Sequence, residues 1–169
     1  MAITMHSASA PVFTRQLKGL LNWLDKAEAH AQARKFDTAN YLQARLAPDM
    51  LPLVSQIRIA SDTSKGCIAR LAGVEIPKFE DNEKTLEECR ERVRKTLDYI
   101  ASVPADAIDG SEGREIVIPR RSGGPLKFDG EFYLKHWALP NFFFHVTTAY
   151  ALLRHNGVEL GKQDFLALG

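Results

Sequence analysis

The chain has 169 residues, 45% of them hydrophobic and 25% charged, with 22 Lys+Arg against 21 Asp+Glu and a formal net charge of +1. That length and apolar content fit one globular domain over residues 1–169 and exclude wholesale disorder, while the balanced charge excludes a dedicated nucleic-acid binder and a charged interaction tail. No apolar run approaches the ~18 residues of a membrane span, and the opening MAITMHSASAPVFTRQ lacks the basic-then-apolar layout of a signal peptide, so a cytoplasmic chain with no membrane partner is expected.

The first helical pattern covers residues 11–34. Pro11 suits a first turn, where its missing N–H costs nothing, and Phe13, Leu17, Leu20, Leu24, Ala27 and Ala31 form one apolar stripe. Residues 35–46 are more polar and read as a connection. A second helix is predicted over residues 49–71, capped by Asp49, with Pro52 in its first turn and Gly73 after its end. Leu53, Gln56, Ala60, Thr63 and Cys67 share one face of it, and Asp62 lies off that face, in a surface or helix-pairing position. Residues 74–81 read as a loop. The third helix, over residues 86–103, opens on a capping box of Thr85 and Glu88, carries Leu86, Cys89, Val93, Leu97 and Ile100 as its stripe, and stops at Pro104.

Glu115-Ile116-Val117-Ile118, then Ser122-Gly123-Gly124-Pro125, then Leu126-Lys127-Phe128 read as a small hairpin or extended loop. The fourth helix runs over residues 129–154 and must kink or divide at Pro140. His155-Asn156-Gly157 is its C-terminal cap, with Gly157 free to take positive φ. Residues 158–169 form a short tail that packs back on the body. Four amphipathic helices with one stripe each predict an all-α four-helix bundle with a small β-like insert before the last helix.

Phosphate-loop, nucleophile-elbow, HExxH and CxxC motifs are absent. Cys67 and Cys89 sit on apolar stripes and read as core thiols rather than a redox pair. His6, His30 and His155 read as solvated, and His136 as a surface or interface residue. The informative cluster is polar side chains at stripe positions. Asn141 and His145, four apart on the last helix, project from one face beside the proline, and Gln56 interrupts the buried stripe of the second helix. A buried amide left unpaired costs about 1–3 kcal/mol, so the three groups either satisfy one another as a network that fixes bundle register, or line a polar pocket that holds a ligand.

The segment LPNFFFHVTTAYALLRHNGVELGK, residues 139–162, closely resembles the C-terminal signature of a family known only as a domain of unknown function. That family is placed in the DinB/YfiT-like superfamily of metal-dependent four-helix-bundle proteins. LAPDMLPL at residues 46–53 and DTSKG at residues 62–66 resemble its second-helix signature, and the resemblance spans essentially the whole chain. It implies the DinB-like bundle fold. Metal-binding superfamily members use one histidine on the second helix and two, four apart, on the last; these positions fall on Gln56, Asn141 and His145. Only the last is a histidine, and neutral amides are poor ligands beside imidazole. No cofactor is therefore expected, although the resemblance leaves a divalent metal as the alternative. The expected function is binding of a small molecule, or metal-independent catalysis, at Gln56, Asn141 and His145. In the catalytic form His145 is the acid or base and the amides orient it or the substrate. The rivals are a metal-dependent transferase or hydrolase with a degenerate ligand set, and a non-catalytic dimeric scaffold. A homodimer is expected from the superfamily and from Trp23, Tyr41 and Trp137 near the stripe edges.

Overall fold

The computed structural model describes residues 3–120 and 122–167. Helix α1 (Ala10–Arg34) holds Pro11 in its first turn and buries the whole predicted stripe from Phe13 to Ala31. It closes on Lys35 at φ 56°. A short helix α2 (Ala39–Leu42) lies inside the predicted connection, and its Tyr41 and Leu42 are buried. His30, expected to be solvated, is instead half-buried: its ring bonds the Tyr41 hydroxyl and meets the edge of Phe36.

Helix α3 (Leu53–Ala72) starts later than predicted, with Pro52 as its N-cap and Asp49 left exposed. The cause is local. The residue before a proline is pushed to extended backbone, so no helix passes through Leu51 into Pro52. Gly73 ends α3 at φ 72°, as the sequence predicts. Helix α4 (Leu86–Ser102) carries the complete capping box of Thr85 and Glu88. Beyond Pro104 comes a single turn, α5 (Ala105–Ile108).

The β-like insert is a two-stranded antiparallel hairpin, β1 (Ile116–Ile118) and β2 (Leu126–Phe128), with Val117 opposite Lys127. Helix α6 (Gly130–Phe132) follows and runs through a π-helical stretch, Tyr133–Ala138, into α7 (Leu139–His155). The irregularity predicted at Pro140 is this widened stretch just upstream of it, rather than a break into two helices. A π-turn relaxes the clash between a proline ring and the carbonyl one turn earlier. The tail folds back as α8 (Lys162–Leu166) on α1, where Trp23 Nε1 donates to the Asp164 carbonyl at 3.1 Å and stacks on Phe165.

The four long helices close a ring in the order α1, α4, α3, α7, with α3 packed against both α7 and α4. Phe13 meets Phe142 edge to face at 4.8 Å across the middle. Cys67 and Cys89 are buried free thiols. Ion pairs join the helices at the rim: Arg90 on α4 reaches Asp25 and Glu28 on α1, and Arg92 reaches Asp62 on α3, the helix-pairing position expected of Asp62. Among the described residues no helix is long and apolar enough to cross a membrane.

Candidate functional site

The seam between α3 and α7 brings Gln56 and His145 together. Gln56 enters it because it falls on the buried face of α3, where it is 1% exposed; His145 does so from the inward face of α7, at 8%. Gln56 Nε2 donates to the Leu51 carbonyl at 2.9 Å. A carbonyl only accepts, so the amide nitrogen must face Leu51 and Oε1 must face the imidazole. The 2.7 Å contact between Gln56 Oε1 and His145 Nδ1 is therefore a bond that His145 Nδ1–H donates. This fixes the tautomer: in the neutral ring, Nε2 carries the lone pair. Burial lowers the His145 pKa from 6.5, which favours that neutral form. Among the described residues Nε2 has no hydrogen-bond partner. Phe144 stands edge-on against the same ring and is itself exposed.

Asn141 is one turn away and makes a different bond. Its Nδ2 donates to Thr63 Oγ1 at 3.1 Å, again across the α3–α7 seam. The predicted trio is thus a pair plus a neighbour: Gln56 with His145, and Asn141 with Thr63. His136 lies apart, exposed and against the Phe132 ring at 4.6 Å. A surface groove of about 940 Å³ lies elsewhere, between α1 and α8, lined by Arg15, Lys18 and Gln163 among others. Thr63 shared the predicted stripe but was not singled out, and the Leu51 carbonyl carries no side-chain signal at all.

The donor set does not suit a transition metal. It offers one imidazole nitrogen; Gln56 Oε1 already accepts from that imidazole, so Gln56 orients His145 rather than joining it as a ligand. Among the described residues no three His, Cys, Asp or Glu side chains cluster in a way that could hold a metal ion.

No curated protein matches the chain. A solved structure does: the crystal structure of a DinB family member protein from Shewanella denitrificans at 1.83 Å resolution. It is 39% identical, with a TM-score of 0.86 over 95% of this chain and 90% of that one. A family model, Domain of unknown function (DUF1993), matches residues 5–166, and the chain belongs to that family, on a DinB-like helical bundle.

Proposed function

We propose that the protein binds a small molecule at the α3–α7 seam, with His145 Nε2 as the recognising atom and Gln56 and Asn141 as the polar side chains that set the site. The observation that carries this reading is the orientation of His145. Gln56 holds its Nδ1–H and leaves the Nε2 lone pair of a largely buried ring without a partner among the described residues. A neutral imidazole held in one tautomer accepts a hydrogen bond from a ligand O–H or N–H, or takes a proton as a general base. The test is a fragment titration followed by the His145 ring resonances. Ligands should shift the Cε1–H signal of the wild type and lose affinity in His145→Leu; a library that leaves His145 unmoved overturns the reading.

A second reading has its own support. Both amide nitrogens donate a bond within the protein, to the Leu51 carbonyl and to Thr63, which suits a register-fixing network in a non-catalytic scaffold. Under that reading Gln56→Leu combined with His145→Leu retains or gains stability, because both polar partners leave together. No metal takes part in either reading. Protein purified without added metal is expected to contain less than an equivalent of zinc, nickel, iron or manganese by elemental analysis. One equivalent bound through His145 would instead favour a metal-dependent enzyme.

A further inference from the structure

A groove of about 520 Å³ opens between α1 and the turn that follows α7, and its lining includes none of Gln56, Asn141 and His145. Its central polar group is His30, which packs against Phe36 and Tyr41, themselves edge to face at 5.3 Å. His30 Nδ1 and the Tyr41 hydroxyl share a hydrogen bond. Tyr41 is 2% exposed, and its hydroxyl has no other partner among the described residues. If that hydroxyl accepted from Nδ1–H, its own hydrogen would be left without an acceptor, so Tyr41 donates to Nδ1. The neutral His30 ring then carries its proton on Nε2. A Cβ on Gly157 would stand 3.3 Å from His30 Cε1 and 3.4 Å from Nε2, so this edge of the ring faces the groove wall where position 157 has no side chain. The glycine leaves room at the Nε2–H, and Ala29 and Ala33 line the groove with small side chains.

Charge is laid out along the groove. Lys26, His30 and Arg34 are successive turns of α1, about 6 Å apart along its axis. Gly157 stands beside His30 and Asp164 beside Lys26, so residues 157–164 run back along α1. Glu159 therefore enters the groove on the Lys26 side of His30, opposite Arg34. Lys26 is neutralised by Asp164 at 2.6 Å, whereas among the described residues neither Arg34 nor Glu159 has an ion-pair partner. The groove thus offers a cation and an N–H donor toward one end and a carboxylate toward the other.

We propose that this groove is a second binding site, which takes a small zwitterion of the amino-acid class: its carboxylate accepts from His30 Nε2–H and Arg34, and its ammonium pairs with Glu159. The test titrates the full chain with glycine, β-alanine, γ-aminobutyrate, δ-aminovalerate and ε-aminocaproate, following the His30 and His145 ring signals by NMR. Before any addition, long-range proton–nitrogen spectra should show His30 protonated on Nε2 and bare on Nδ1. One member of the series should then shift the His30 Cε1–H signal saturably, with a Kd of about 1 mM or below, and leave His145 unmoved. The acid and the amine that each lack one of its charged groups should bind about tenfold more weakly, the effect of losing one charge-assisted contact. Arg34→Gln should weaken the zwitterion by the same factor. Glu159→Gln should bring it down to the affinity of the acid alone. Both positions are exposed, so the two variants are expected to fold as the wild type does. A series that leaves His30 unmoved, an acid that binds as well as the zwitterion, a Glu159→Gln variant with wild-type affinity, or a proton found on Nδ1 overturns the proposal.

Discussion

Gly157 sits at φ 91°, where the Val158 N–H reaches back to the Leu153 carbonyl and the Gly157 N–H to that of Arg154. This closes α7 in a left-handed turn that a β-carbon disfavours. His30 sharpens the constraint, because a Cβ at position 157 would lie 3.3 Å from its Cε1. Gly157→Ala is expected to cost about 1–2 kcal/mol in urea unfolding; an unchanged midpoint would show that the turn tolerates a side chain. At His145 the expectation concerns pH. Its folded pKa lies below the unfolded 6.5, so the unfolded chain binds the proton more readily. Its contribution to stability is full above pH 6.5 and is lost as pH falls through that value toward the lower folded one. NMR titration should place the ring's midpoint below 6.5, and His145→Leu should strand Gln56 Oε1 at a cost of about 1–3 kcal/mol.

Between elements, a tight join lies where β2 hands over to α6. A Cβ at Gly130 would overlap the Ser111 carbonyl oxygen, and the adjoining Glu131 N–H bonds the Glu112 carbonyl at 2.9 Å. Gly130→Ala is expected to cost about 1–3 kcal/mol by overpacking and to speed amide exchange in residues 116–118; unaltered exchange there would mean that the hairpin does not depend on this contact. Features set by neighbouring residues were legible in the sequence: the α1 stripe, the Thr85–Glu88 box, Gly73 and Gly157 as terminators, and the hairpin. Features set by distant residues were not. Tyr41 becomes helical in α2 while packing against His30, and the irregularity near Pro140 takes the form of a π-helical stretch upstream of it. In the site, Gln56 and His145 stood out as polar groups on apolar stripes. Their hydrogen-bond order depends on the Leu51 carbonyl, which no sequence pattern announces.

For the molecule as a whole, the aromatic case for association has narrowed. Trp23 and Tyr41 are buried within the chain, which leaves Phe132, Trp137 and Phe144 at 48%, 36% and 58% exposure. A homodimer remains our proposal, now resting on those three. Light scattering at micromolar concentration should give twice the chain mass, and a stable monomer would refute it. The ring of helices also carries a temporal consequence. Gln56 and His145 are 89 residues apart in sequence, and Asn141 and Thr63 are 78 apart. On a ribosome α1, α3 and α4 emerge first, and α3 must wait for α7 with one long apolar face still wet. Closing so long a loop is entropically costly and yields contacts only when α7 docks. The α3–α7 seam thus cannot form until α7 has been made, and a nascent chain stalled before Leu139 would offer that face to chaperones.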